Sequence, residues 1–417
     1  MHFELETASF LKGFILQINT PSRPVPSFAL FNLGFRPFFL LAGVYSLIPI
    51  LVWGGVYVYG WPAPRLPFSP LHWHAHEMIF GYGMAVAAGF LLTAVRNWTH
   101  IQTLQGYPLA VLATLWLAAR LAGWIMPGQV LPMLLLDLMF DLWLIVAVFR
   151  PILRAKQHDQ IGIASKLILL MLANLCFYLG VSGVLEQGIA WGLYSGLYFL
   201  LALIFSMARR VLPFFIERGV GYPVTLKNHV WIDRSSLILF LLFWFADVIW
   251  RNAPVAAALA GLLFAIHTMR LAGWHSKGIW RKPLLWVLYV GYGGATFGFL
   301  LKALTPFIPI SPSLALNALA LHAFALGGIG MITAGMMARI ALGHTGRDIQ
   351  QHSRLLAPIF ISLFAAYVAR VILPMIAPMH YTLWLGMAQA AWLIAFALFV
   401  RVYAPILVKP RADGMPG

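Results

Sequence analysis

The six residues His72-Trp73-His74-Ala75-His76-Glu77 place three imidazoles within five positions. Imidazole is a ligand for copper, zinc and iron. His72 and His76 are four apart and on a helix share a face from which they can grip one metal, while His74 points elsewhere unless the first turn is extended. With no cysteine nearby, a soft copper(I) cage is disfavoured. The competing reading is a set of interfacial histidines hydrogen-bonded to carbonyls and headgroups. His322 precedes Ala325-Leu-Gly327-Gly328-Ile-Gly330, a stretch of helix bare of side chains that lets either a flat macrocycle or another helix come close. His322 is therefore a candidate ligand for a metal or haem. His267, three residues before Arg270, and His344, in Gly343-His-Thr-Gly-Arg347, form a second candidate bis-histidine site, or else are polar helix-end residues. Arg36, in Gly34-Phe-Arg-Pro-Phe-Phe-Leu40, is either a fork for a carboxylate such as a haem propionate or a headgroup anchor.

The elements that carry these residues must be membrane helices. Of 417 residues 61% are hydrophobic and only 10% charged, and a mean hydropathy of +0.85 cannot be enclosed in one water-exposed globule. The single cysteine, Cys176, excludes a disulfide framework, a four-cysteine iron-sulfur cluster and a Cys-x-x-Cys-His attachment, so any haem is held without covalent bonds. A formal charge of +16 falls between apolar runs and reads as orientation in a bilayer, not as nucleic-acid binding. Apolar runs predict an all-α, polytopic integral membrane protein with twelve transmembrane helices, near 37-59, 76-97, 107-126, 131-149, 165-186, 189-209, 234-251, 254-273, 284-303, 314-339, 355-376 and 382-403. With both termini cytoplasmic, 23 of the 28 Lys and Arg lie on the cytoplasmic side and only Arg65, Arg251 and Lys302 on the other; Arg120 and Arg370 lie within spans. His72 to His76 and the start of the His322 span then share the outer side. Met1 to Ile18 lacks the features of a signal peptide, so the mature chain is expected to begin there.

A single membrane domain over 1-417 is expected, with cytoplasmic tails at 1-30 and 406-417 and three four-helix repeats near 36-150, 160-273 and 284-404. The third span reads Trp116-Leu-Ala-Ala-Arg120 before Pro127, the eleventh Ala365-Ala-Tyr-Val-Ala-Arg370 before Pro378, and the seventh has Asp247 before Pro254. The second, sixth and tenth spans end in Arg96, Arg209 and Arg339, a pattern to which the positive-inside rule also contributes. Arg120 and Asp137 lie at similar distances from the turn at Pro127-Gly128, so an antiparallel hairpin pairs them, with Asp141 one turn further on the same face. Such a pair reads either as a structural tie or as part of a proton path.

Gly34-Phe-Arg-Pro-Phe-Phe-Leu, His72-Trp-His-Ala-His-Glu-Met-Ile-Phe-Gly-Tyr, Gly89-Phe-Leu-Leu-Thr-Ala-Val-Arg-Asn-Trp-Thr, Arg210-Val-Leu-Pro-Phe-Phe, His322-Ala-Phe and Leu342-Gly-His-Thr-Gly-Arg together resemble the NnrS family over about residues 28 to 405. That resemblance implies a bacterial inner-membrane protein holding haem b, one or two, and copper, linked to nitric oxide, nitrosative stress and denitrification. It would place these groups on His72, His74, His76 and His322, with His267 and His344 as further candidates. Three repeats of four helices also resemble the haem-copper oxidase arrangement, by fold-level analogy alone. The sixth and seventh spans carry no histidine, however, so a copper would have to use the triplet. The leading expectation is a protein that binds or detoxifies nitric oxide, or another small gas, near the outer face. Two alternatives stand beside it: an oxidoreductase that reduces nitric oxide or oxygen with electrons from quinol, and a transporter of metal or haem.

Overall fold

The structure is a computed structural model that describes residues 28–308, 316–350 and 353–415. The described part of the chain is helical without strands, and eleven helices are long and apolar enough to cross a membrane: α1 (Phe35–Tyr59), α2 (Pro70–Thr99), α3 (Tyr107–Ile125), α4 (Val130–Arg154), α5 (His158–Val181), α6 (Gly188–Gly219), α8 (Ala253–Trp274), α9 (Pro283–Leu304), α10 (Leu316–His344), α11 (Leu356–Ile376) and α12 (Pro378–Val408). Between α6 and α8 lies α7, Val230–Trp244 continued by Phe245–Ile249. This is the place of the predicted seventh span, but Asp233, Arg234 and Asp247 make it too charged to count as a span by composition. The chain is an all-α polytopic membrane protein. Of the expected tails, residues 1–27 lie outside the described residues, and α12 runs through Val408 into the segment expected as the C-terminal tail.

Glycine, proline and polar caps set the helix ends. Ser69 accepts a hydrogen bond from the His72 backbone N–H at the start of α2, with Pro70 at the first helical position. Asn252 caps α8 in the same way through Val255. The interior is formed by α2, α6, α9 and α10, whose most apolar windows are 83%, 61%, 67% and 78% buried; those of the other spans are half buried or less. These four helices therefore meet at the centre, and the others surround them with one side turned outward. Where two helices press hardest only glycine fits. A Cβ on Gly180 of α5 would stand 2.2 Å from the Ile189 amide nitrogen of α6. Likewise, a Cβ on Gly327 of α10 would stand 2.9 Å from Gly294 backbone atoms of α9. Helix packing, one of the two uses read for the Gly327-Gly328-Ile-Gly330 stretch, is thus realised: Gly328 faces Leu201 and Ala295, and Gly330 faces Trp392.

Four helices widen into a π turn: α2 at Glu77–Gly83, α7 at Phe245–Ile249, α10 at Ala323–Met331 and α11 at Val368–Ile372. Such turns leave a carbonyl without its intrahelical partner and re-aim nearby side chains. In α2 the Gly81 carbonyl accepts a hydrogen bond from Trp116 Nε1 at 3.1 Å. Glu77, Asp247 and Arg370 all lie inside π turns, and His322 immediately precedes one.

The first and last helices close the bundle. Arg36 is fully buried, and its Nη1 donates to the carbonyls of Leu407 at 2.9 Å and Lys409 at 2.8 Å, and at longer range to Ile406 at 3.5 Å. A cation on the open carbonyls of a helix C-terminus satisfies both their hydrogen-bonding need and the helix dipole. Arg36 is therefore engaged in tying α1 to α12, where the sequence left it as a carboxylate fork or a headgroup anchor. Arg36→Met is expected to lower stability by roughly 2–3 kcal/mol, the usual range for lost charged hydrogen bonds. A lower unfolding temperature of the detergent-purified variant is the measurement; an unchanged one refutes the cap. Beyond α12, Ala412 N–H bonds the Thr345 carbonyl at 2.9 Å, and Arg411 beside Asp413 holds that exposed carboxyl down at about 2, so the pair stays charged across the working pH range.

Candidate functional site

Because α2 begins at Pro70, all three histidines of the triplet lie within its first two turns. His74 and His76 are two residues apart, about 200° around a helix, and they address opposite halves of the bundle. His76 is fully buried, with Nδ1 3.0 Å from Glu77 Oε1 and Nε2 3.0 Å from Asn174 Oδ1 of α5. Rings of Phe80, Phe177 and Tyr178 close around it at 4.6–5.2 Å. Both its nitrogens face oxygens, so neither is open to a metal in this arrangement. His72 is half-buried and joins neither ring nor hydrogen bond of its own imidazole to that group, so the shared face predicted for His72 and His76 does not form a two-histidine grip.

His76 instead belongs to a polar network drawn from five helices. Tyr45 of α1 donates to Glu77 Oε2 at 2.5 Å, and Arg120 of α3 stands with Nη1 3.2 Å from the same oxygen. Its other arm pairs with Asp137 of α4, as the hairpin geometry predicts. Tyr178 donates to Asp137 Oδ2 at 2.7 Å, and the Asn174 amide reaches Asp141 at 3.5 Å. Gly81 makes the room: a Cβ there would sit 2.8 Å from the Tyr45 ring and 3.0 Å from Glu77 Oε2. Three carboxyl groups stand against one guanidinium, all nearly inaccessible. Uncompensated buried charge costs several kcal/mol, so the group must retain protons. It can hold a proton, and pass one between neighbours, within hydrogen-bond distance.

The other face of α2 carries a different chemistry. His74 stacks on Trp53 of α1, with centroids 5.4 Å apart and planes 14° from parallel, and its buried Nδ1 has no hydrogen-bond partner. His322 Nδ1–H donates to the Ala318 carbonyl at 2.7 Å. A carbonyl on one ring nitrogen fixes the tautomer and leaves Nε2 as the ligand atom, the usual support of a metal-bound histidine. Arg370 of α11 acts electrostatically on both imidazoles, and His74 on His322. Arg370 Nε and Nη1 are also buried without partners, and so is Nε2 of Gln389 of α12, which lies against Gly54 of α1 beside Trp53. Four orphaned atoms on three residues, His74, Arg370 and Gln389, with His322 within electrostatic reach of the first two, form a site short of a ligand. Among the described residues no three His, Cys, Asp or Glu side chains come together as a metal cage.

The remaining candidates lie apart. His267 is sandwiched between Phe205 and Phe299, with Nδ1 2.6 Å from Tyr292 Oη and Nε2 unpartnered. Arg270 binds the same hydroxyl at 2.9 Å and Asp233 at 2.8 Å. His344 packs on Phe35 at the far end of α10, 5.7 Å between centroids. The two histidines share no neighbour, so the structure does not bring them together as a pair. Lys302, one of the three basic residues assigned to the outer side by sequence, is buried on α9 and paired with Asp247 of α7 at 2.7 Å.

The family model described as NnrS protein matches residues 29–411, which takes in every helix and both faces of α2. The chain belongs to the NnrS family. No curated protein matches it. The NnrS match therefore covers the whole membrane bundle, including Tyr45, Asn174 and Tyr178, which composition alone does not single out. Their signal in the sequence was polarity inside apolar spans: an asparagine in the middle of α5 needs a buried partner. Trp53 and Gln389 gave no signal, since membrane tryptophans and single glutamines have many uses.

Proposed function

We propose that this NnrS-family chain is a haem b and copper protein of the bacterial inner membrane, with both termini cytoplasmic, that acts in nitric oxide binding, detoxification or nitrosative-stress response. The observation that carries the haem reading is the unsatisfied cluster of His74, His322, Arg370 and Gln389. His322 or His74 would hold the iron through an imidazole nitrogen, and the Arg370 guanidinium, with two unpartnered donor atoms, would hold a propionate. A bound haem would supply an iron that takes up a diatomic gas and exchanges single electrons. Around it, Trp53 holds the His74 ring by stacking, the Ala318 carbonyl orients His322, and the apolar walls exclude water. For copper the fit is narrower: with His76 engaged, His72 is the imidazole of the triplet still open, and that part of the reading rests on the resemblance. Nitric oxide is apolar enough to arrive through the bilayer, so the site needs no polar channel.

A second reading, a nitric oxide or oxygen reductase fed by quinol, is favoured by one observation. The proton-holding network begins at His76, two residues from His74. Haem and metal counts on detergent-purified protein, made with haem and copper in excess, test the proposal. We expect stoichiometric b-type haem in the parent, less than a tenth of it in His74→Ala and His322→Ala, and retention in His72→Ala. Absence of haem from the parent, or full content in both variants, overturns the assignment and leaves transport as the working function. Turnover with quinol separates the reductase from a binding protein.

A further inference from the structure

Away from both faces of α2, a cavity of about 450 Å³ opens among α6 to α10 at the membrane face from which α2 and α10 start. Its polar wall is Trp191 and Tyr194 of α6, Asp247 of α7, Arg251 on the α7–α8 turn, Lys302 of α9 and Asn317 of α10; alanines of α8 smooth the opposite side. The carboxylate in this wall is already consumed. Lys302 Nζ donates to both Asp247 oxygens, at 2.9 and 2.7 Å, and the Tyr198 hydroxyl donates to Oδ2 at 2.7 Å. What remains is donor capacity. Trp191 Nε1 is buried without a hydrogen-bond partner. Arg251 enters no ion pair or hydrogen bond among the described residues, and its φ of 55° is a left-handed conformation that L side chains avoid. Asn317 spends one amide hydrogen on Tyr194 Oη at 3.3 Å and keeps another. With Asp247 cancelled by Lys302, the cavity carries the net positive charge of Arg251 over apolar and aromatic walls.

We propose that this cavity binds the head of an amphiphilic anion, a phosphate or carboxylate on an apolar body, with Arg251 and the Trp191 N–H as its donors. A guanidinium and an unpartnered indole N–H lining one cavity match that head, and the alanine wall with the Tyr194 ring matches the body. A phospholipid and a soluble organic anion share this chemistry. The proposal is independent of the haem reading, since no residue of the His74 and His322 cluster lines the cavity.

The test is thermal unfolding of the purified full-length protein in an uncharged detergent, titrated with octyl phosphate and, separately, octanol. The expected result is a saturable rise in unfolding temperature with octyl phosphate and none with octanol, its midpoint shifted at least tenfold in Arg251→Gln and in Trp191→Phe. Arg251 is exposed, so its variant should elute and unfold as the parent does without ligand, which keeps the comparison valid should Trp191→Phe fail to fold. Phosphatidylglycerol reproducing the effect near stoichiometric amounts identifies a lipid as the source. A response to inorganic phosphate but not to the lipid identifies a free anion. An equal response to octanol, a response that never saturates, or an unchanged midpoint in Arg251→Gln overturns the site.

Discussion

Arg120→Met is expected to destabilise the bundle by about 3–5 kcal/mol, the cost of leaving buried carboxylates without their cation. Arg120 is the guanidinium that faces both Glu77 and Asp137, and its removal strands buried acids from two helices. The methionine fills much of the volume, so a cavity explains little of the loss. Arg120→Lys, with a point charge where a fork is needed, should fall between the two because it cannot span both acids with planar donors. Adding Asp137→Leu to Arg120→Met should recover part of the loss, since Glu77 still has Tyr45 and His76 as partners. Unfolding temperature and monodispersity on size exclusion read these outcomes. An Arg120→Met protein as stable as the parent would mean that the network is neutralised by protons alone and that Arg120 is dispensable to it.

Gly327→Leu should also be damaging. Backbones of α9 and α10 touch here, and a Cβ on Gly327 already lies 2.9 Å from Gly294 Cα and carbonyl carbon, atoms that cannot rotate away. Overpacking in ordinary cores costs about 1–3 kcal/mol, occasionally more, and a backbone contact lies at the upper end. Since α10 carries His322 one turn earlier, the displacement should also reduce the haem content expected under the proposed function. Gly386→Leu on α12, where a Cβ meets nothing within 4 Å, is the control and should leave both properties intact. Equal behaviour of the two variants would refute close packing as the role of Gly327.

Hydrophobic runs made all twelve helices visible in the sequence, because a bilayer imposes length and apolarity on each span separately. The Arg120–Asp137 pair was legible for a similar reason: one short turn fixes the depth of two adjacent helices. The division of labour within the triplet was not. Helical spacing predicts which histidines share a face, but which neighbours that face meets depends on contacts with α5 and α10, about one hundred and two hundred and fifty residues away in the chain. Asn174 and Glu77 engage His76, leaving His74, the member that spacing sets aside, beside His322. The burial of Lys302 was hidden for the same reason: its partner Asp247 sits on another helix, and position in the sequence gives its side of the bilayer but not that contact.

The widened turn at Glu77–Gly83 holds one residue more than an α-helix would use over the same length. Deleting one residue there would restore a regular winding and rotate everything before it by about 100°. His74 and His76 would then both swing off their present neighbours: the proton-holding cluster would lose its imidazole, and His322 would lose the company of His74. A single codon thus sets the angular phase between the histidine-bearing tip of α2 and the rest of that helix, and the two sites are inherited together or lost together.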